Sequence, residues 1–178
     1  MNKCRSDEMN LLKSIHNKDV QTFYWCMERK KRELMTNMSR FVSHSADGHL
    51  YLVFVLILFS VGESKFILLL ISAFCIERLF YLFMKKGFKR NRPAALENFR
   101  SFIQPSDQFS FPSGHTSGTF LIAYFLDIMF PEFNTLWYIW AVSVGLSRIF
   151  LGVHVPTDTA MGAILGTISG MLIIGVFA

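Results

Sequence analysis

The sequence predicts an all-α protein: an integral-membrane helical bundle of about five transmembrane helices, preceded by N-terminal amphipathic helices. Three observations lead there. Apolar residues make up 52% of the 178 positions and charged residues only 17%, with a mean hydropathy of +0.35, which is unusual for a water-soluble domain of this size. The apolar residues fall in long runs that do not alternate with polar ones, so strands are excluded. Nineteen phenylalanines suit lipid-facing packing better than a water-bounded core.

In chain order, residues 1–40 form an amphipathic interfacial segment and 41–178 a membrane-embedded domain. Leu11, Leu12 and Ile15 recur at helical spacing, and Phe23, Tyr24, Trp25 and Met27 precede the run from Glu28 to Glu33. That pattern reads as one or two helices on the membrane surface, with a solvated tail as the plainer alternative. Met1 to Asn10 lacks a signal-peptide core, so insertion is expected to depend on internal segments. Asp47-Gly48 reads as a turn before the first run and not as a ligand, and His16, His44 and His49 have no supporting constellation.

The first run, Leu50 to Gly62, is short at ~1.5 Å per residue for a hydrocarbon core of ~30 Å unless its helix starts upstream, near Phe41 to Asp47. Phe66 to Met84 returns after Glu63-Ser64-Lys65 as a tight hairpin. Thr116 to Phe130 ends at Pro131 and gains a turn if it starts at Ser113. Leu136 to Phe150 and Thr157 to Ala178 follow, the last opened by Pro156, a residue favoured in a first helical turn. Gly162, Gly166 and Gly170 recur every four residues, which lets a neighbouring helix approach closely inside the bundle. Five spans put the 85–115 and 148–158 connections on the same side. Glu77 and Arg78 lie inside the second run and read as a structural or site-wall feature. The three cysteines (4, 26 and 75) have no metal-type spacing and suggest no disulfide framework. A net charge of +5 does not form a stripe interleaved with aromatics, so nucleic acid is excluded as a partner and anionic lipid favoured.

Three polar clusters interrupt the apolar pattern: Lys85 with Arg92-Pro93, Pro112-Ser113-Gly114-His115, and Ser147-Arg148 with His154 and Asp158. Together they supply three cations, two imidazoles, a carboxylate and a Ser-Gly turn that can open a helix. Cations with amide donors at a helix start suit a phosphate group. Two histidines, one of them four residues from an aspartate, suit a nucleophile and a general acid. Taken singly, each has a duller reading: a capping histidine, a positive flank made of Lys85, Lys86, Lys89, Arg90 and Arg92, or a snorkelling Arg148.

In order and spacing, the three clusters resemble the signature of the type 2 phosphatidic acid phosphatase superfamily, which includes membrane lipid phosphatases and soluble vanadium haloperoxidases. The motif region runs from Lys85 to Asp158, and the apolar runs extend the likeness from about Leu50 onward. The resemblance implies a metal-independent lipid phosphatase without a cofactor. Lys85, Arg92, Ser113, Gly114 and Arg148 would bind the substrate phosphate. His154 would attack phosphorus to give a phosphohistidine intermediate, Asp158 would orient it, and His115 would protonate the leaving oxygen. Three cations would do the work of a metal ion, and no cluster of metal ligands is apparent.

Within the resemblance, the substrate is a lipid phosphate or pyrophosphate: phosphatidic acid, phosphatidylglycerophosphate, polyprenyl pyrophosphate or lipid A phosphate. Phosphotransfer to another lipid and a catalytically silent lipid-binding protein are the alternatives. Residues Ala94 to Phe111 are the candidate lid or headgroup loop, where Phe99, Phe102, Phe109 and Phe111 could dip into the interface. The expected location is a bacterial inner membrane. The positive-inside rule turns the site to the cytoplasm, through Arg29 to Arg32 and Lys86, Lys89 and Arg90, although relatives are known with the site on the outer side. The sequence leaves the oligomeric state open.

Overall fold

The computed structural model describes residues 14, 17–26, 32–92 and 108–177, and among these residues every extended element is a helix. Helix α1 covers 17–26, and α2 (Arg32–His44) leads through a short turn into α3 (Gly48–Val61). Then come α4 (Ser64–Phe88), α5 (Gly114–Met129), a 3-10 turn at Pro131–Phe133, α6 (Asn134–Phe150) and α7 (Pro156–Phe177).

Three stretches are long and apolar enough to cross a bilayer: Glu33–Val61, Ser64–Phe88 and Pro156–Phe177. The first answers the length problem of the 50–62 run, because α2 feeds α3 with only a turn between them. The expected boundary at residue 40 therefore falls inside α2. This helix buries Thr36, Ser39 and Ser43 and turns Leu34, Met38 and Phe41 outward, as suits a helix whose outer face meets hydrocarbon. The inward side packs on α6. Helices α5 and α6, with 16 and 17 residues, reach only about 24–26 Å. Contacts from α4, α6 and α7 surround α5, so its length need not match the bilayer.

The α3–α4 hairpin follows from its turn residues. Gly62 takes the left-handed conformation (φ 86°), and the Glu63 N–H then donates back to the Leu58 carbonyl at 3.0 Å. Helix α4 buries Ala73, Glu77, Tyr81 and Lys85, spaced by four and so on one face. That face is apolar near the hairpin and becomes polar toward the end that carries Lys85. Leu68, Leu79 and Phe83 are exposed on other faces of α4, as on a lipid-facing surface.

Helix α7 lies closest to α5, and its glycines make that possible. A Cβ at Gly162 would come within 2.6 Å of the Ser113 carbonyl oxygen, and one at Gly170 within 2.7 Å of the Tyr124 ring. The stripe is thus a packing surface inside the bundle. Its consequence for the site is direct: it brings the start of α5, with Ser113 to His115, against the start of α7, with Asp158.

Candidate active site

At the end of the bundle where α4 and α6 finish and α5 and α7 begin, a cavity of about 560 Å³ is lined by Lys85, Arg92, Gly114, His115, Arg148 and His154. All three sequence clusters meet there. Asp47, Arg78, Tyr51, Phe74 and Tyr81 complete much of the wall. Four cationic side chains thus face one space, and Asp47 is the carboxylate among the lining residues.

Each cation is held by the fold. Lys85 ends the inward stripe of α4, donates to the Tyr81 hydroxyl and lies 4.6 Å from that ring's centroid. Arg92 donates to the Val153 carbonyl at 2.8 Å, tying the segment after α4 to the loop between α6 and α7. Arg148, in the last turn of α6, donates through Nη1 to Ser43 Oγ at 2.7 Å, while its buried Nε has no partner among the described residues. Arg78 pairs with buried Glu77 at 2.9 Å, and Glu77 also accepts from Ser117. Glu77 is therefore structural and Arg78 part of the wall, as the sequence suggested.

His154 sits on a buried loop whose backbone remains bonded to the end of α6: the N–H groups of Val153 and His154 both donate to the Arg148 carbonyl at 3.3 Å. Its Nδ1 is 3.4 Å from Asp158 Oδ2, too far for an ordinary hydrogen bond but correctly aligned in sequence at i and i+4. Asp158 is fully buried in the first turn of α7. Burial lowers the His154 pKa to about 4, against the opposing pull of Asp158, so the ring is neutral at physiological pH.

Ser113 departs from the expected cradle. Its N–H donates to the Asp158 carbonyl at 3.0 Å and its Oγ accepts from Thr116 Oγ1 at 3.0 Å. Ser113 is fully buried and does not line the cavity, whereas Gly114 does. Its immediate role in this structure is to join α5 to α7 behind the site. The first backbone bond within α5 is Ser117 N–H to the Ser113 carbonyl, so the amides of Gly114, His115 and Thr116 precede the helix's internal ladder.

The profile of the PAP2 superfamily matches residues 64–178, almost two thirds of the chain. This chain belongs to the PAP2 superfamily. It is similar to the lipid A 4'-phosphatase of Porphyromonas gingivalis, 32% identical over 124 residues that cover 65% of this chain and 52% of the relative. Phosphatidylglycerophosphatase B of Bacillus subtilis is 36% identical over 119 residues, covering 61% and 56%. The bacitracin transport permease protein BcrC of Bacillus licheniformis is 39% identical over 80 residues, covering 45% and 39%. The chain spans about half the length of these curated relatives. Among solved structures, LpxE of Aquifex aeolicus matches with a TM-score of 0.77 at 26% identity, covering 87% of this chain and 93% of that one. A transmembrane PAP2 type phosphatidylglycerolphosphate phosphatase of Bacillus subtilis matches at 0.72 and 27%, covering 92% and 86%.

Three features of this PAP2 site escaped the sequence reading. Asp47 forms the expected turn, but its carboxylate is 3.2 Å from His115 Nε2 and 2.6 Å from His44 Nδ1, so it makes no cap bond to α3. His44 therefore has a constellation after all. Arg90 is more than a positive flank: it bonds Asp158 Oδ1 at 3.1 Å and Asp19 Oδ2 at 2.8 Å. Helix α1 docks through Asp19, Phe23 and Cys26, a stripe at i, i+4 and i+7, with Phe23 and Cys26 against Ile149 and Val155. The solvated-tail alternative is thus excluded for 17–26. No sequence pattern links residues so far apart in the chain. Of the candidate lid, 94–107 lies outside the described residues, including Phe99 and Phe102. Phe109 bridges to Asn91, and Phe111 packs on Phe88 with ring centroids 4.8 Å apart.

A second, apolar cavity of about 710 Å³ lies between α3 and α4, lined by Leu52, Val55, Leu70, Ile71, Leu79 and Leu82 among others. It shares Tyr51, Phe74 and Arg78 with the polar cavity.

Proposed function

We propose that this PAP2 protein is an integral-membrane phosphatase that hydrolyses a lipid phosphate or pyrophosphate through a phosphohistidine on His154. The observation that carries the reading is one cavity where Lys85, Arg92, Arg148, His115 and His154 meet, with Asp158 behind His154. A buried guanidinium nitrogen without a partner, such as Arg148 Nε, is what a phosphate oxygen satisfies. The apolar groove that adjoins this cavity through Tyr51, Phe74 and Arg78 suits the hydrocarbon part of such a substrate.

In the first step, His154 Nε2 attacks phosphorus. The N–P bond forms as the bond from phosphorus to the leaving oxygen breaks, and that oxygen takes the proton from His115. Asp158 fixes the Nδ1–H tautomer and offsets the positive charge on the phosphorylated ring. In the second step, water gives a proton to His115 and its oxygen attacks phosphorus, which breaks the N–P bond and releases inorganic phosphate. Lys85, Arg92, Arg148 and the amides that open α5 balance the charge of the transferring group. Ser113 supports the cradle from behind. No metal ion enters the scheme.

The substrate belongs to the lipids named for the relatives or in the resemblance: phosphatidylglycerophosphate, lipid A phosphate, phosphatidic acid or polyprenyl pyrophosphate. The test is phosphate release by the purified chain from each, beside His154→Ala and in the presence of EDTA. Release that survives EDTA and vanishes in His154→Ala is expected. Failure on all four lipids, or full release by His154→Ala, refutes the reading; a Mg²⁺ requirement refutes its metal-free part.

The orientation we propose, with the site toward the cytoplasm, now rests on fewer cations, since Arg90 has a structural partner and is discounted beside Lys85, Arg92 and Arg148. Impermeant labelling of single cysteines near Lys30 and Glu132 in intact cells tests it. Labelling near Lys30 without labelling near Glu132 would put the site outside.

A further inference from the structure

We propose that Asp19 and Arg90 are positioning residues for the nucleophile: they hold Asp158 and divide its charge, so that helix α1 belongs to the catalytic machinery. The inference rests on the phosphohistidine reading and extends it to a segment outside residues 64–178, where the family profile matches.

The geometry is a continuous hydrogen-bonded chain in which a partly buried Arg90 joins two buried aspartates. Arg90 Nη1 donates to Asp158 Oδ1 at 3.1 Å and to Thr157 Oγ1 at 2.7 Å, while Nη2 donates to Asp19 Oδ2 at 2.8 Å. Asp19 accepts the Thr157 N–H at 3.2 Å and also the Thr157 hydroxyl. The other oxygen of Asp158, Oδ2, accepts the Val155 N–H at 3.2 Å and faces His154 Nδ1. Asp19 is 4% exposed and Asp158 fully buried, so both carboxylates have exchanged water for the partly buried Arg90 and for backbone N–H donors.

The stoichiometry gives the cluster its function. Arg90 with Asp158 alone would be a neutral pair, poorly suited to offset a positive ring on His154. Asp19 engages the second arm of the guanidinium, and two carboxylates with one guanidinium leave a net negative charge behind the nucleophile. That charge is needed because Arg92 and Arg148 press on His154, with Lys85, Arg78 and His115 also lining the cavity. Phe23 and Cys26 seat α1 on Ile149 and Val155, beside the loop that carries His154. A helix that served only to anchor the chain at an interface would have no reason to bury an aspartate there.

The test uses the full chain in detergent micelles with dioctanoyl phosphatidic acid, reading phosphate release against pH. Removal of the guanidinium in Arg90→Gln leaves both carboxylates unopposed, so His154 protonates more readily and the acid limb of kcat/KM moves up by about 1 pH unit. Arg90→Lys, which keeps the charge, returns the limb toward wild type. Asp19→Asn lets Arg90 neutralise Asp158, and kcat falls about tenfold with KM little changed, the size of one charge-assisted hydrogen bond. The limb in Asp19→Asn does not move up. An acid limb unmoved in Arg90→Gln, or a kcat for Asp19→Asn within twofold of wild type, overturns the proposal even if the melting temperature drops, because α1 would then be a structural seat alone. If the wild-type chain releases no phosphate from this lipid or from the other three, the phosphatase reading has failed. The coupling is then read by NMR titration of the His154 ring: an upward shift in Arg90→Gln supports it and an unchanged titration overturns it. Should Arg90→Gln not fold, a downward shift in Asp19→Asn supports the proposal and none overturns it.

Discussion

His154 and His115 face the same cavity, each with a carboxylate, yet they are held in contrasting ways. His154 is buried, its partner Asp158 lies four residues on, and Arg90 and Asp19 continue the network inward. His115 is half-buried at the start of α5, its partner Asp47 comes from the turn before α3, and His44 continues that network outward to an exposed side chain. A nucleophile needs one ring nitrogen aimed at phosphorus and the other fixed, which buried contacts provide. An acid must give and take a proton at an oxygen whose position changes with the substrate, which a less enclosed ring permits. The two surroundings thus suit two different tasks.

A leaving-group experiment strains this contrast most. His154→Ala should lose activity by several orders of magnitude on every phosphoester. His115→Ala should lose about 10²–10⁴-fold on a lipid phosphate, the usual range for general acid catalysis, but far less on p-nitrophenyl phosphate, whose leaving group departs without a proton. Equal losses on both substrates in His115→Ala would remove its role as acid. Recovery of His154→Ala on p-nitrophenyl phosphate would remove the nucleophile. Asp158→Asn should fall between, with about a 10²–10⁴-fold loss in kcat on both substrates, since the ring stays while its tautomer is wrong.

The cavity wall between the two histidines gives the next effect. Arg148→Lys keeps a positive charge but loses the planar fork, and should reduce kcat/KM on phosphatidic acid by about 10–10²-fold, one or two lost charge-assisted bonds. Measured beside Arg148→Ala, the conservative change separates shape from charge. If Arg148→Lys matches wild type, the site uses Arg148 only as a point charge.

How much of this was legible in the sequence divides along the same line. The His154 side is written in one short stretch: Arg148, His154 and Asp158 lie on adjoining elements, so their spacing already implies contact. The stripe of Gly162, Gly166 and Gly170 likewise announced a close helix contact, and the structure puts it against α5. The His115 side was not legible, because Asp47 and His115 are 68 residues apart and meet only once the α3–α4 hairpin and α5 have packed. Asp47-Gly48 had a sufficient local reading as a turn before the first run, and local sufficiency hid the long-range role. Arg90 was obscured in another way: amid Lys85, Lys86, Lys89 and Arg92, one more cation at the end of a span looks like a flank. Asp19 on a short amphipathic helix carries no signal of its own until Arg90 is placed. The helices also differ in length from the runs that suggested them: α2 extends the first, and among the described residues three stretches are long and apolar enough to cross a bilayer.

The smallest expected effect tests whether the outward network matters at all. Asp47→Asn keeps an oxygen near His115 Nε2 but removes the carboxylate from a wall that otherwise carries Arg78, Lys85, Arg92 and Arg148. The lost charge-assisted bond should reduce kcat on phosphatidic acid about tenfold, close to 1.4 kcal/mol of barrier. On p-nitrophenyl phosphate the same substitution should change little if His115 is the proposed acid, because that leaving group departs without a proton. His44→Gln, one bond further out and in contact with solvent, should cost less than Asp47→Asn on either substrate, since exposed partners contribute little. A tenfold loss that appears equally on both substrates would mean that Asp47 acts on phosphate binding, or on the α2–α3 turn, and not through His115. An unchanged rate on phosphatidic acid would leave His115 free-standing, and the contrast between the two histidines would then lie in burial alone.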